Sequence, residues 1–333
     1  MELVFTPDNP APPGVVATTI RAADGMTIRV ARWHPAGECV GSVAICAGRA
    51  EFIEKYFEVA GELLRRGLTV AVFDWRGQGL SGRELDNSRK GHIDDFVLYE
   101  RDLEALASQV LEPFCPKPWF ALGHSMGGAV LLSQARAGRS PFERILLTAP
   151  MIDIHGLRHP RATRLFAEAL DIIGLGAMFI PGGGATSLMT RAFEGNVLTS
   201  DPARYARTAN VIAAQPAVGL GTPTIGWLNA AFRCMKQFED PEFALRTTTP
   251  ILVVAASDER LVSLPAIERF ATRLKAGRLI VIPHARHEIM MERDVMRQQF
   301  WAAFDAFIPG TIDELAALEF ARRAIAGARG RGG

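Results

Sequence analysis

The chain has 333 residues, long for one ordinary domain and short for three, and 48% of them are apolar, so a large core is within reach. Its 37 Lys and Arg nearly balance 36 Asp and Glu, which removes the basic face that a nucleic-acid partner needs. Cys39, Cys46, Cys115 and Cys234 lack metal-site or redox-motif spacing and read as reduced thiols, with bridging after export as the alternative.

In chain order, "MELVFTPDNPAPPG" has neither a basic start nor an apolar stretch of signal-peptide length. No later segment reaches about 18 uninterrupted apolar residues. A soluble, cytoplasmic protein is the expectation, with loose contact at the inner face of a membrane left open. "GVVATTIRAADGMTIRVARW" predicts two alternating strands joined at Asp24-Gly25. "SVAICA" and "LTVAVFDW" are continuous apolar runs, as strands buried on both faces should be. "EKYFEVAGELLRRG" between them has helical spacing and a terminal glycine. The helix "DDFVLYERDLEALASQVL", the strand "WFALGH", the helix "MGGAVLLSQARAG" and the strand "RILLTAP" follow.

Over Met151 to Pro241 the alternation stops, leaving helical patches and the glycine-rich "PGGGATS". It resumes with the strand "PILVVAAS", the helix "LPAIERFATRLKAG", the strand "RLIVIP" and the helix "VMRQQFWAAFDAFI". This order predicts an α/β fold with a mostly parallel sheet covered on both faces. The expected organisation is a core over 1–150 and 242–310, and a helical cap over 151–241 seated on the strand ends. Residues 311–333, opened by the capping box Thr311 and Glu314, are expected to form one helix and then fray. Its arginines read as solvated, with contact to anionic lipid as the alternative. "IIGLGAMFIPGGG" in the cap reads as a buried helix, the alternative being an apolar lip that meets a membrane or micelle.

Gly123-His124-Ser125-Met126-Gly127 matches G-x-S-x-G between a predicted strand and a predicted helix. That context points to a nucleophile: the serine occupies a strained turn, glycines two positions away avoid collisions, and the helix behind directs its positive end at developing negative charge. A capping serine in a plain turn is the competing reading. Ser81 in "RGQGLSGR" has Arg83 where the second glycine should be, opens no helix, and reads as loop structure.

A serine hydroxyl needs a base, and the base needs an orienting acid. "VIPHARHEIMMERD" supplies two histidines after the last strand. His284 sits at the strand end, where a structural role is ordinary; His287, in the following loop, is the expected base. "PILVVAASDERLVS" puts Asp258 just past its strand, so Asp258 is the expected acid and Glu259 is read as a capping or surface carboxylate. The expected oxyanion donors are the backbone N–H groups of Met126 and of Arg49 in "AGRAE". The Arg49 side chain reads as a surface ion pair, with attraction of an anionic head group as the alternative.

"GRAEFIEKY", "FDWRGQGLSGR", "KGHIDDF", "GHSMGG", "GTPTIGWL" and "ARHEIMMERD" together resemble the bacterial lysophospholipase and monoacylglycerol-lipase-like group of α/β-hydrolases, which is related to the serine aminopeptidases. The resemblance spans about residues 40 to 308. It implies an eight-stranded α/β-hydrolase core with a helical cap, a Ser125, Asp258, His287 triad, and hydrolysis of the acyl ester of a lysophospholipid or monoacylglycerol without metal or organic cofactor. The chain departs from many monoacylglycerol lipases in having Ala47-Gly48 where they have His-Gly, which loosens the assignment of Arg49. Gly48, His124 and Trp227 are read as substrate-facing, with Trp227 as a pocket wall or simply cap core. A lipid or small ester is the expected partner, and the oligomeric state stays open. Two further readings compete: an aminopeptidase-like peptidase or short-chain carboxylesterase, and a non-catalytic scaffold, which should have lost a member of the triad. None is visibly lost.

Overall fold

The computed structural model describes residues 2–310, so the helix expected over 311–333 lies outside the described residues. The first hairpin pairs β1 (Val16–Arg21) with β2 (Thr27–Trp33) in antiparallel register, Val16 opposite Arg32 and Arg21 opposite Thr27. Its turn uses Gly25 at φ +85°, a conformation that costs glycine nothing. β3 (Gly41–Cys46), β4 (Leu68–Phe73), β5 (Trp119–His124), β6 (Arg144–Thr148), β7 (Ile251–Ala256) and β8 (Gly277–Ile282) complete a sheet of eight strands in the order β1-β2-β4-β3-β5-β6-β7-β8. β2 is antiparallel to β4, and every pairing from β4 to β8 is parallel.

β3, β4, β5 and β7 are buried at every residue, which is why their sequences are unbroken apolar runs. β8 closes one edge and alternates between half-buried and exposed over most of its length. Core helices α1 (Phe57–Arg65), α2 (Val97–Leu106) and α3 (Met126–Arg136) precede the insertion. The long connection from β6 to β7 carries α4 (Pro160–Leu170), α5 (Pro202–Ala214), α6 (Ile225–Phe238) and α7 (Pro241–Arg246). α8 (Leu264–Ala271) and α9 (Asp294–Phe307) flank β8 in sequence.

The helix starts are specified locally. Asp201, Thr224 and Ser263 accept hydrogen bonds from the third amide of α5, α6 and α8, and proline occupies the first turn of α5 and α8. The insertion has a small apolar cluster of its own, in which Met189, Leu198, Tyr205, Val211 and Ile212 pack with Phe52 from the loop after β3. α4 rests on α6 and buries only Ala167. Leu165, Phe166, Ile172, Ile173 and Met178 are therefore exposed, Ile172 to 78%, and "IIGLGAMFIPGGG" forms an open apolar surface where a buried helix was expected. Among the described residues, no helix is long and apolar enough to cross a membrane.

Ser81 is an anchor of the loop after β4. Its hydroxyl donates to the Asp74 carbonyl at 2.6 Å and accepts from the Arg29 amide at 2.8 Å. Beside it, Arg29 is fully buried between Glu54 and Asp74, each at 2.7 Å.

Candidate active site

Ser125 stands between the last residue of β5 and the first of α3, at φ 49° and ψ −113°. A non-glycine residue at positive φ is strained, and the surroundings hold it there. Its amide donates to the Thr148 carbonyl at 3.0 Å, and its carbonyl accepts from Met151 at 3.0 Å and Ala129 at 3.3 Å. The flanking glycines have steric reasons. A Cβ on Gly127 would drive into the Cys46 and Ala47 carbonyls at the end of β3, and one on Gly123 would meet Leu131 at 2.6 Å. Gly128 lets α3 approach Pro150, which a Cβ there would reach at 3.1 Å.

His287 is 5% exposed and lines the same cavity as Ser125. Its Nδ1 donates to Glu259 Oε2 at 2.7 Å. Glu259, not the expected Asp258, is therefore the acid on the imidazole. The chain leaves β7 at Ala256 and turns through Ser257. Asp258 falls on the outside of that turn, exposed, its carboxylate accepting a hydrogen bond from the Ser257 hydroxyl at 3.3 Å. Glu259 falls inside, and its longer side chain reaches the ring. Its other oxygen accepts the amides of Arg260 and Leu261, each at 2.8 Å, and of Val262 at 3.3 Å. Burial pushes the Glu259 carboxyl up, but His287 and these amides outweigh it and leave it below the usual range. Burial alone would lower His287; the charge and hydrogen bond of Glu259, with Glu288 and Glu51 behind, raise it instead. His284 is exposed at φ 61°, with its amide on the Ser257 hydroxyl.

The loop after β3 forms the facing wall. A Cβ on Gly48 would sit 2.9 Å from both Glu51 and His124, so glycine is required at this approach. The Gly48 amide donates to Glu51 Oε2, which also accepts from Tyr56 at 2.6 Å. Lys55, fully enclosed, bridges Glu51 at 2.8 Å and Glu288 at 2.6 Å. This ties the Gly48 loop to the residue beside His287, a connection that sequence spacing does not reveal. His124 packs on His287 with ring centroids 4.7 Å apart, and its Nδ1 lies 3.0 Å from the Thr148 hydroxyl. Burial pushes its pKa down to about 4, so it is neutral at pH 7. Trp227 takes both suggested parts: it belongs to the main core, hydrogen-bonds Tyr99 at 3.1 Å, and lines the cavity.

The cavity holds about 670 Å³, within the range of small-molecule sites. Gly48, Arg49, His124, Ser125, Trp227 and His287 border it, and most of the remaining wall is apolar and comes from the insertion. A hydroxyl, an imidazole held in one tautomer by a carboxylate, and backbone donors at the start of α3 are the parts of acyl transfer.

Comparison with known proteins agrees with this chemistry. The sequence pattern of the family described as serine aminopeptidase, S33, matches residues 37–294. Lysophospholipase L2 of Escherichia coli K12 is 34% identical over 77% of this chain and 76% of that protein. The monoacylglycerol lipase of Mycolicibacterium smegmatis is 24% identical over 78% of this chain and 85% of that protein. Among solved structures, a thermostable carboxyl esterase from Bacillus coagulans superposes with a TM-score of 0.74 at 20% identity, covering 90% of this chain and 99% of that one. Serine at a strained strand-to-helix turn and histidine on a buried acid thus occur in a chain that belongs to the serine aminopeptidase S33 family of α/β-hydrolases, the lysophospholipase and monoacylglycerol-lipase-like group among them.

Proposed function

We propose that Ser125, His287 and Glu259 cleave a carboxylic ester through an acyl-enzyme. The protein is a carboxylic ester hydrolase acting on a lysophospholipid or monoacylglycerol, as its relatives do. The observation that carries the residue roles is the buried His287 to Glu259 hydrogen bond beside a cavity that Ser125 also lines. His287 Nε2 takes the Ser125 proton as the oxygen attacks the ester carbonyl, and Glu259 offsets the charge on the imidazolium. The amides of Met126 and Arg49 bind the oxyanion, each contributing on the order of 3 kcal/mol. His287 returns the proton to the alkoxide oxygen as the ester C–O bond breaks and the alcohol leaves; water, losing a proton to the same base, then attacks the acyl-enzyme, and Ser125 takes that proton back as the acid is released.

An aminopeptidase reading needs a carboxylate free to bind an amine. The two glutamates in the cavity wall, Glu51 and Glu288, both end on Lys55, which argues against it. The exposed Phe166 and Leu188 border the cavity, and the exposed Ile172 and Ile173 follow directly after α4, which carries Phe166. We infer that this lip rests on a lipid aggregate while the acyl chain enters.

Ser125→Ala should lose all turnover of a p-nitrophenyl ester and all labelling by a fluorophosphonate while keeping its thermal unfolding. Retained turnover would remove the nucleophile assignment. Lysophosphatidylcholine, monoolein, short esters and aminoacyl anilides, tested in parallel, separate ester from amide cleavage; preference for the anilides would overturn the ester reading.

A further inference from the structure

The side chain of Arg49 is half-buried with its Nε enclosed, and it is held differently from Arg29 and Arg76. Arg29 and Arg76 are each enclosed between two carboxylates. Arg49 lines the cavity, and among the described residues no carboxylate pairs with it. Its Nη2 donates to the Gly221 carbonyl at 3.1 Å, its Nε is buried with no partner among the described residues, and the guanidinium lies 5.1 Å from the Trp227 ring centroid. Burial with no opposing anion pushes its pKa down to about 10, so it stays charged at neutral pH. A desolvated cation without a counter-ion is costly unless an anion arrives.

Two other arginines show what a structural role looks like in this segment. Arg83 donates to the Ala217 carbonyl at 2.9 Å and Arg89 to the Gly219 carbonyl at 3.0 Å, so three arginines grip alternate carbonyls up to Gly221. Arg83, like Arg49, has a buried nitrogen without a partner and no paired carboxylate among the described residues, so what sets Arg49 apart from the other two is that it borders the cavity.

We propose that the Arg49 guanidinium is a headgroup subsite, binding the phosphodiester oxygens of a lysophospholipid whose ester carbonyl lies at the Arg49 amide. This rests on the ester-hydrolase reading above and chooses between its two substrate classes. The glycerol backbone between ester and phosphate is comparable in length to the side chain between the Arg49 amide and its guanidinium. The planar fork suits a phosphate, and the Trp227 ring flanks it. Arg191, exposed on the same wall, adds a second cation for an anionic headgroup.

The test compares kcat/KM for lauroyl-lysophosphatidylcholine and monolauroylglycerol, presented at equal mole fraction in neutral detergent micelles. In Arg49→Gln the lysophospholipid-to-monoglyceride ratio should fall about 10- to 100-fold, the loss of a hydrogen-bonded ionic contact. Arg49→Lys should give an intermediate ratio, and it serves as the readout if the glutamine variant does not fold. Arg83→Gln, which removes the equivalent carbonyl grip away from the cavity, should leave the ratio as in the wild type. Equal losses on both substrates in Arg49→Gln would make Arg49 structural and overturn the proposal. So would strong inhibition of wild-type monoglyceride turnover by millimolar inorganic phosphate that vanishes in Arg49→Gln, because the site would then serve free phosphate. Wild-type turnover of the monoglyceride alone sinks the phosphate subsite and spares the ester reading; turnover of neither sinks both.

Discussion

Glu259→Gln tests the acid assignment most sharply. Glu259 uses one oxygen for three backbone amides, at 2.8, 2.8 and 3.3 Å, and the other for His287 Nδ1 at 2.7 Å. A glutamine in the same pose keeps its carbonyl on the amides, because its NH2 cannot accept them. The NH2 then faces Nδ1 and donates to it. The imidazole proton moves to Nε2, the atom that must be empty to take the Ser125 proton. The wrong tautomer and the lost counter-charge together should cost about 10⁴-fold in kcat/KM, or about 5.5 kcal/mol of transition-state stabilisation. Asp258→Asn, at an exposed carboxylate hydrogen-bonded to the Ser257 hydroxyl, should stay within about threefold of wild type. Hydrolysis of p-nitrophenyl butyrate measures both, with thermal unfolding to show that each variant folds. A severe loss in Asp258→Asn with a mild one in Glu259→Gln would refute the assignment.

His287 must be neutral to act as a base, and its pKa is raised in the folded protein. The acid limb of kcat/KM should therefore lie above pH 6.5, and activity should fall as pH drops through it; a limb at or below 6.5 contradicts the Glu259 pairing. His287→Ala should lose at least about 10³-fold in kcat, whereas His284→Ala, at an exposed ring, should change it little; the reverse would exchange their roles. Lys55→Met leaves Glu51 and Glu288 buried against each other without their cation. It should destabilise the fold by roughly 3–5 kcal/mol in urea unfolding, and a neutral result would show that one glutamate is already protonated. Ile172→Ser with Ile173→Ser should lower turnover of micellar substrate while sparing monomeric short esters. An equal effect on both would place these residues in folding rather than at a lipid surface.

The order of strands and helices was legible because buried parallel strands are unbroken apolar runs and their helices carry caps and periodicity. Ser125 was legible for the same reason: a strand, a glycine-flanked serine and a helix determine one local geometry. Asp258 was misassigned because position after a strand does not tell which side of the exit turn a residue takes. Two adjacent acids, "DE", are the only written sign of the ambiguity. The exposure of Ile172 and Ile173 was legible only as the second of two readings because apolar composition predicts burial, and the packing after α4 leaves them uncovered among the described residues. The Lys55 bridge was invisible because its two carboxylates lie 237 residues apart, and only the fold brings them to one lysine.

That bridge also has a bearing on how the protein comes into being. Domains tend to fold from the amino terminus as the ribosome delivers them. Lys55 and Glu51 are translated well before Glu288 and the histidine beside it. Until then the wall around Gly48 lacks the carboxylate that completes its ionic lock, and Ser125 lacks the histidine proposed as its base. On the proposed roles, a nascent chain stalled before that point would carry Ser125 without the groups that make it reactive.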